Sequence, residues 1–542
     1  MIKVRADMRL RGSPSTFRVL FAVLLLGLLI GGNAGTVEAA KTPTSLSIEP
    51  SPSPAQSDGL VAIVGRLVAG NMGLPNQKVY VKESASKDAQ QWTTVTAAFT
   101  GADGTFSVSW KSRLQGQFFV KASYPGAPQY KVSVSNVIQV VYGAPKSTTM
   151  LVAKDGHPKW GTDPRQDSNI AYYGGRTHIA YESNESLGYV EAYPGPSGTG
   201  GKIKVSTYDQ VKQQWLGPFT VSEKPVYDDH GYPVMVADSQ GYLHVVYDGH
   251  QVPLKYKRSL RPNDASEWTE AELVGERGTY PHLIVGPNDT LFLFYRERGT
   301  KYDRWVEVMS TRSGGAWSNP TTVLDAQFVK DDPANNWCVY VNKVHLGQDG
   351  AIYMIWTWMD ESVSPSILMD VGFARSSDYG QTWTMADGTV YSLPILRTGS
   401  YEKIWAGEYA SMHATIAASK SGSVVALLFE YDSKWENSKM HQRLWDGASW
   451  SSSVVATGLL FGNIVMDSSG VLRGLAMTEW PYNIKYMEAR PPYGSWTIKD
   501  LDSPTKSYYP TVSTSADPYF EGSWQVRVAL DHSELYFYTQ AL

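Results

Sequence analysis

The sequence predicts an all-β protein in which a seven-bladed β-propeller follows an immunoglobulin-like (Ig-like) β-sandwich. Helical periodicity is nearly absent from the 542 residues. From about residue 148, a strand–turn–strand unit recurs at intervals of about 48 to 72 residues, which is typical of propeller blades. The preceding segment of about 100 residues has short alternating strands with turn signals about every 8–12 residues, as sandwich domains do.

The first forty residues are predicted to be a secretory signal peptide. Basic residues, among them Lys3, Arg5 and Arg18, precede an apolar run over residues 19–30, and small residues follow near residue 40. The run is too short for a membrane span, and no later segment reaches the length needed to cross a bilayer. We therefore expect residues 1–40 to be removed and the mature chain to be secreted to the extracellular space, without a membrane span.

Residues 41–143 are predicted to form the Ig-like β-sandwich. Alternating apolar and polar residues mark strands, for example in the segments that begin at Gln77 and Gly104. The turn Asp103-Gly-Thr-Phe and a closing strand over residues 137–141 resemble those of bacterial Ig-like modules. No constellation of polar residues in this part points to catalysis, so we expect a spacer or an accessory binding role.

Residues 144–542 are predicted to form the propeller. In each repeat, a Gly- or Asp-containing turn leads into a strand that ends in an aromatic or apolar residue. These segments are residues 173–181, 238–247, 287–295, 348–356, 420–428, 467–475 and, in a poorer copy, 511–530. Predicted outer strands carry Trp215, Trp268, Trp317, Trp383, Trp450 and Trp496. Seven copies predict seven four-stranded blades.

Composition restricts the partners of the chain. The formal net charge of −4 gives no electrostatic reason to expect binding to nucleic acid. The 18 Trp and 33 Tyr residues suit contacts with sugar rings as well as packing between sheets. Cys338 is the only cysteine, which excludes an intrachain disulfide, and its apolar surroundings favour a buried small side chain. We expect a monomer whose partner is a polysaccharide.

Two histidines are the most informative residues of the propeller. Two β-rich runs around a turn at residues 238–241 predict an antiparallel hairpin, in which residues whose numbers sum to about 480 face each other. His230 and His250 meet this rule, so we expect them side by side at the open end of the hairpin, on the rim of the channel. Beside Asp229 and Asp248, such a pair suits proton transfer or metal binding. Alternatively, His230 caps a turn and His250 lies in a surface loop.

Tyrosine and arginine residues extend this candidate site into the next blade. Tyr295 has the repeat position of a blade-packing aromatic, but it is followed by Arg-Glu-Arg at the same open end as His250. Ordinary glycoside hydrolysis needs a pair of carboxylates. Histidine, tyrosine and arginine instead suit β-elimination from a uronate, in which a cation stabilises the carboxylate while a base and an acid transfer protons. The candidate substrate-binding residues are Arg258, Arg296 and Arg304.

A resemblance supports this chemistry. The motifs that carry it are Tyr227-Asp-Asp-His-Gly-Tyr-Pro, Gly241-Tyr-Leu-His-Val-Val-Tyr-Asp-Gly-His, Lys255-Tyr-Lys-Arg-Ser, Thr279-Tyr-Pro and Leu293-Phe-Tyr-Arg. They resemble the BNR-repeat (type 4) propeller family, which includes ulvan lyases and a related rhamnosyl-glucuronate hydrolase. The likeness covers roughly residues 150–540.

The resemblance implies a catalytic group and a reaction. It implies elimination at C5 of a uronate in an ulvan-like, rhamnose-linked glycan. His230 and Tyr295 exchange protons with the substrate, in roles of base and acid that stay open. His250 and Arg312 hold the carboxylate, with Arg304 as the alternative to Arg312.

Other functions stay open from the sequence. They are a glycoside hydrolase of the same fold, for which His178 fits the required histidine poorly, and a non-catalytic glycan-binding propeller. A metal site could use His230, His250 and Asp229, or His282, Cys338 and His345, but neither set has the tight spacing of metal motifs. We expect no catalytic metal and no required cofactor, and the sequence leaves room for a structural metal ion.

Overall fold

A computed structural model describes most of the chain after residue 40. The described residues are 41–50, 60–84, 86–87, 89–112, 116–142, 147–157, 168–184, 201–210, 212–223, 232–250, 252–298, 305–327, 336–363, 367–408, 413–432, 434–528 and 532–542. The predicted signal peptide lies outside them, as do His230 and Arg304. Within these ranges, no helix has the length and apolar character needed to cross a membrane.

Nine strands form the Ig-like sandwich. They are β1 (Ser45–Pro50), β2 (Leu60–Ala69), β3 (Met72–Gly73), β4 (Lys78–Ser84), β5 (Thr93–Phe99), β6 (Thr105–Lys111), β7 (Gly116–Tyr124), β8 (Ser133–Val134) and β9 (Ile138–Tyr142). One sheet has the order β1-β2-β3 with β6 on β2, and the other has the order β5-β4-β7-β8 with β9 on β7. Alternation along β4 buries Val79 and Val81 against Ile63 and Phe118. These strands confirm the predicted sandwich.

The remaining strands form seven blades around a channel. The first strand in the chain is β10 (Ser147–Gly156). Blade 1 follows with β11 (Ile170–Tyr173), β12 (Arg176–Ser183), β13 (Lys202–Asp209) and β14 (Gln214–Glu223). Blade 2 has β15 (Val234–Ala237), β16 (Leu243–Asp248), β17 (Leu254–Arg261), β18 (Asp264–Trp268) and β19 (Glu272–Val274). Blade 3 has β20 (Gly278–Val285), β21 (Leu291–Glu297), β22 (Val306–Ser313), β23 (Ala316–Trp317) and β24 (Thr321–Asp325).

The other four blades follow in chain order. Blade 4 has β25 (Trp337–Leu346), β26 (Ile352–Asp360), β27 (Ile367–Ser376) and β29 (Glu402–Glu408), whereas β28 (Ile395–Leu396) pairs with β24 of blade 3. Blade 5 has β30 (Thr415–Ala418), β31 (Val424–Glu430), β32 (Lys439–Trp445) and β33 (Trp450–Thr457). Blade 6 has β34 (Leu459–Met466), β35 (Leu472–Thr478), β36 (Ile484–Ala489) and β37 (Trp496–Asp500), and blade 7 has β38 (Ser507–Val512), β39 (Tyr519–Arg527) and β40 (Ser533–Ala541).

The two ends of the propeller chain meet in blade 7. Strand β10, at the start of the propeller, pairs antiparallel with β40, at its end, from Ser147 opposite Gln540 to Gly156 opposite Ser533. β10 therefore supplies the outer strand that β38, β39 and β40 lack, and the ring is closed by backbone hydrogen bonds. This closure and the seven sheets confirm the predicted seven-bladed propeller.

Apolar side chains fill the seven junctions between neighbouring blades. Successive residues of a strand point to opposite faces, so each central strand packs one row on the preceding blade and one on the next. In blade 3, Leu293 and Tyr295 pack toward blade 2, while Phe292 and Phe294 pack toward blade 4. Five of the predicted outer-strand tryptophans lie on outer strands, but Trp383 lies between β27 and β28 and is fully buried. Its assignment to an outer strand is wrong.

Each blade has the same orientation, which defines two rims. The inner strand runs from one rim to the other and the second strand returns. We call the rim where second strands end the upper rim; in blade 2 it contains Asp248. The lower rim contains the turns between the inner and second strands, such as residues 238–242. Because consecutive blades repeat this topology, the loops that leave second strands gather on the upper rim.

Candidate active site

His250 lies on the upper rim, just after β16. The hairpin has the predicted register, with Val234 opposite Val246. The chain turns sharply at its end, since Asp248, Gly249 and His250 have φ angles of 66°, 107° and 57°. The His250 N–H donates to the Gly278 carbonyl of blade 3 at 2.5 Å. This contact holds His250 against the next blade in a left-handed conformation that non-glycine residues rarely adopt.

Aromatic rings connect His250 to an arginine of blade 3. The imidazole stacks on Trp305, with centroids 6.0 Å apart and planes inclined by 15°. The guanidinium carbon of Arg296 lies 5.0 Å from the Trp305 ring, 4.7 Å from Tyr280 and 4.0 Å from Tyr340. We call these five residues the rim cluster. It brings a half-buried imidazole and a permanent cation together across blades 2, 3 and 4.

A β-bulge places Tyr280 in this cluster. Thr279 faces Arg296 and His282 faces Phe294, so β20 has one residue more than β21 between the two pairs. Tyr280 lies in this bulge with a φ angle of 52°. Bulges of this kind redirect a side chain and are frequent near active sites. The motif Thr279-Tyr-Pro signals this position in the sequence.

A buried glutamate lies beside Arg296. Glu307 of β22 is directly opposite Arg296 in the strand register and is fully buried, and neither of its carboxyl oxygens has a hydrogen-bond partner. Burial raises the Glu307 pKa well above its usual value, and the nearby Arg296 charge lowers it only in part. Burial therefore favours the neutral form of Glu307, and the Arg296 guanidinium lies between aromatic faces.

The structure places Tyr295 beneath the rim and not at its surface. Its side chain is 0% exposed and packs toward blade 2, as Tyr181 and Tyr247 pack toward the blades before theirs. Its hydroxyl lies 3.4 Å from Ser310 Oγ. A Cβ added to Gly278, whose carbonyl accepts the His250 N–H, would lie 3.2 Å from the Tyr295 ring. Tyr295 therefore packs beneath the strand whose Gly278 carbonyl accepts the His250 N–H.

Two of the predicted arginines lie at the lower rim. Arg312 is opposite Leu291, at the end of β22 far from Arg296, where it forms an ion pair with Glu272 at 2.7 Å. Arg258 is opposite His244 near the lower turn, and it lies 4.6 Å from the Tyr242 ring. The structure therefore does not bring Arg312 or Arg258 together with His250. β22 and β17 both run from the upper to the lower rim, so residues near their ends are carried away from the site.

The other histidines considered for function are buried. His178 is fully buried, bonds Thr207 Oγ1 and Asn263 Oδ1 at 2.9 Å each, and has a pKa lowered to about 4 by burial. Burial also lowers the pKa values of His282 and His345 to about 3. Cys338 is buried, and its thiol donates to Glu361 at 3.4 Å. Across the described ranges, no three His, Cys, Asp or Glu residues come together as metal ligands would.

Among the described residues, the rim cluster combines an imidazole and a guanidinium, which are groups that an elimination can use. Its imidazole is partly accessible and its guanidinium is held in a fixed place. Two glutamates lie nearby, but Glu297 faces blade 2, where its carboxylate accepts the N–H groups of Glu276 and Arg277 at 3.1 and 2.9 Å. Glu307 faces the other side of the sheet. A glycosidase needs two carboxyl groups that flank one glycosidic bond. The carboxyl groups of Glu297 and Glu307 face opposite sides of the sheet and do not form such a pair.

Curated relatives of this chain are described as ulvan lyases. One from Alteromonas sp. (strain LOR) is 23% identical over 444 residues, which cover 72% of this chain and 86% of the relative. A second, from Pseudoalteromonas sp. (strain PLSV), is 24% identical over 52% of this chain and 64% of the relative. A third, from Nonlabens ulvanivorans, is 28% identical over 29% of this chain and 35% of the relative.

Solved structures share the fold, and a family model matches the sequence. A PL25 ulvan lyase bound to -[GlcA(1-4)Rha3S]- has a TM-score of 0.55 at 16% identity, covering 71% of this chain and 94% of that one. Polysaccharide lyase Uly1 has a TM-score of 0.52 at 12% identity, covering 72% and 92%. The model of the BNR repeat-containing family matches residues 170–457, more than half of the sequence. This chain belongs to the BNR repeat-containing family.

Proposed function

We propose that this protein is a secreted polysaccharide lyase that cleaves a uronate-containing, ulvan-like glycan by β-elimination. The observation that carries the proposal is the pairing of His250 with Arg296 through Trp305 on the upper rim. The description of the relatives as ulvan lyases supports the same reaction and the same class of substrate. We propose that the enzyme acts as a monomer.

The reaction places three demands on the site. A base removes the proton from C5 of the uronate, next to its carboxylate, and negative charge then develops on the carboxylate oxygens. A fixed cation or hydrogen-bond donors stabilise that charge. An acid protonates the oxygen at C4 as the C4–O bond breaks and a C4–C5 double bond forms. No water is added, and no cofactor enters the balance.

We assign these tasks to residues of the upper rim. His230 and Tyr295 remain the proposed proton-transfer pair by resemblance, with the burial of Tyr295 favouring a positioning role for its phenol under Gly278. His250 is the group next to the carboxylate. Arg296 takes the place expected for Arg312, since its guanidinium lies at the rim beside Trp305, on which His250 stacks.

Product chemistry tests the proposed function. Incubation with ulvan is expected to produce an unsaturated uronate, measured as a rise in ultraviolet absorbance together with new reducing ends. The rise should persist after treatment with a chelator, because no step needs a metal. Reducing ends without the absorbance rise would instead identify a hydrolase. Binding of ulvan without any new ends would identify a glycan-binding propeller.

Variants test the site separately from the reaction class. His250→Ala is expected to lower kcat/KM by roughly 100-fold or more, as loss of a general acid–base or charge-stabilising group does. Arg258→Ala, at the lower rim, is the matched control and should retain activity. Tyr295→Phe is expected to lower kcat modestly. If that variant loses all turnover while its folding is intact, the phenol itself transfers a proton and the positioning role is wrong.

A further inference from the structure

A second group of aromatic residues lies on the upper rim, in blades 5 to 7. The loop after β31 carries Tyr431 and Trp435, and the loop after β35 carries Trp480 and Tyr482. Tyr508 is at the start of the inner strand β38. Loops that leave second strands and residues that begin inner strands share the upper rim, so this group faces the same side as His250.

The rings form a connected array. Tyr482 lies 5.4 Å from Trp480 and 5.2 Å from Tyr508, measured between centroids. Phe461 connects the inner part of the array, 5.5 Å from Tyr431 and 5.3 Å from Trp435. Tyr509 joins the two parts, 5.9 Å from Tyr508 and 6.1 Å from Phe461. We call these seven residues the rim array. At its outer end, 67% of the Trp480 surface is exposed, which is costly for so large an apolar side chain unless a ligand covers it.

Hydrogen bonds hold the loops of the rim array in place. The N–H groups of Lys506 and Ser507 donate to the carbonyls of Pro481 and Tyr482 at 2.9 and 2.7 Å, which ties blade 7 to blade 6. Glu479 Oε1 accepts the N–H and the hydroxyl of Ser438 at 2.6 and 2.7 Å, which ties blade 6 to blade 5. The aromatic surface is therefore formed before any ligand binds, which lowers the entropy cost of binding.

Left-handed backbone conformations in the same loops also indicate a binding role. Trp435, Tyr482 and Lys506 have φ angles of 63°, 62° and 63°. Such conformations are unfavourable for non-glycine residues and concentrate at ligand-binding sites. Hydrogen bonds between blades 6 and 7 hold Tyr482 and Lys506, and the Trp435 N–H donates to the Asp432 carbonyl of its own loop at 2.9 Å.

The charge around the exposed end of the array is positive. The Arg527 guanidinium carbon lies 5.5 Å from the Tyr508 ring. The backbone N–H of Arg527 donates to the Lys506 carbonyl at 3.2 Å. Both Arg527 and Lys506 are exposed. Of the acids in these loops, Glu479 is engaged by Ser438, and Asp502 lies at the outer end of its loop, next to β37. Two more acids lie in the loop after β31: Asp432 accepts hydrogen bonds from Lys434, Glu436 and Asn437 of that loop, and Glu436 is exposed. A ligand on the array would meet rings together with two cations.

We propose that the rim array is a second glycan-binding site, which holds an anionic sugar of the polysaccharide on the opposite blades from the rim cluster. Stacking on Trp480 recognises the sugar ring, and Lys506 and Arg527 recognise its sulfate or carboxylate. The identity of the glycan rests on the proposed function. The site keeps a long chain on the upper rim while one of its uronates lies beside His250.

Binding without turnover tests this site. In a His250→Ala background, affinity electrophoresis in gels containing ulvan, desulfated ulvan or neutral dextran measures retention of each variant. Trp480→Ala is expected to weaken ulvan binding roughly tenfold, the loss expected for one stacked aromatic ring. Arg527→Gln should reduce the salt dependence of binding. Leu273→Ala is the matched control, because Leu273 is 64% exposed on an outer strand of blade 2.

The outcomes separate this site from the proposed reaction. Equal retention of Trp480→Ala and its parent in ulvan gels, with thermal unfolding unchanged, would overturn the second site even if the wild type is a lyase. Equal loss of retention in dextran gels would overturn its anionic specificity. If the wild type produces no unsaturated uronate but Trp480→Ala still loses ulvan binding, the second site stands and the lyase proposal fails.

Discussion

Arg296 and Glu307 lie directly opposite each other on neighbouring strands of blade 3, and both side chains are buried. Their position suggests an ion pair, but the Glu307 carboxyl oxygens lack hydrogen-bond partners and burial raises the pKa of the group well above its usual value. The arginine is stabilised by three aromatic faces instead. The aromatic faces therefore hold the Arg296 guanidinium at the upper rim, and burial favours the neutral form of the glutamate opposite it.

Replacing Glu307 by glutamine tests whether the acid is neutral. The folded pKa is raised, so Glu307 contributes stability at low pH that is lost as the pH rises toward its folded value. Glu307→Gln should therefore resemble the wild type in stability at about pH 4 and be more stable than the wild type at pH 7, as measured by urea unfolding. Destabilisation by about 3 kcal/mol or more would indicate an ionised, paired Glu307.

Arg296 and Arg312 should differ in their effect on activity. Arg296→Lys removes the planar cation that stacks on Tyr280, Trp305 and Tyr340, so kcat/KM on ulvan should fall roughly 100-fold. Arg312→Lys weakens a partly exposed ion pair at the lower rim, which costs about 1 kcal/mol or less and leaves turnover intact. Initial rates and thermal unfolding of both variants decide this. The reverse ranking would restore Arg312 to the site.

Glu521 should make stability fall as the pH rises from mild acid to about pH 8. It is buried between blades 7 and 1, where its carboxyl group is hydrogen-bonded to Thr177 and Gln210, and burial raises its pKa to about 8. From about pH 4.5 to about pH 8, the folded protein keeps a proton that the unfolded chain releases. The free energy of unfolding therefore falls by roughly 1.4 kcal/mol per pH unit in this range. Glu521→Gln should be similar to the wild type at pH 5 and more stable at pH 8. Parallel urea-unfolding profiles of the two proteins across this range would show that Glu521 does not titrate in this way.

Truncation tests the predicted boundary at residues 143 and 144. A chain that starts at residue 144 keeps β10 and should fold as a propeller, with a cooperative thermal transition. A chain that starts at residue 158 lacks the strand that pairs with β40, leaving an open sheet edge in blade 7. We expect this shorter chain to aggregate or to unfold at a much lower temperature. Equal stability of the two chains would mean that β10 is not needed for closure.

Local pattern in the sequence was sufficient for the repeat and for the hairpin. The turn at residues 238–241 sets the register of β15 and β16, and Val234 faces Val246 as predicted. The position of Arg312 was not predicted correctly, because the strand after Tyr295 runs away from the upper rim for eight residues. Arg312 is close to Tyr295 in the sequence, but the two residues therefore lie at opposite ends of the blade.

The sequence by itself determined the all-β class, the seven repeats and the rim on which His250 lies, because alternation and turn chemistry act between near neighbours in the chain. Only the tertiary structure decided which arginine accompanies His250. Three aromatic rings surround Arg296: Tyr280 comes from a bulge, Trp305 from a loop and Tyr340 from the next blade. Such contacts depend on how the sheets pack. It also decided that Tyr295 is buried beneath the rim, since burial is a property of the assembled blades.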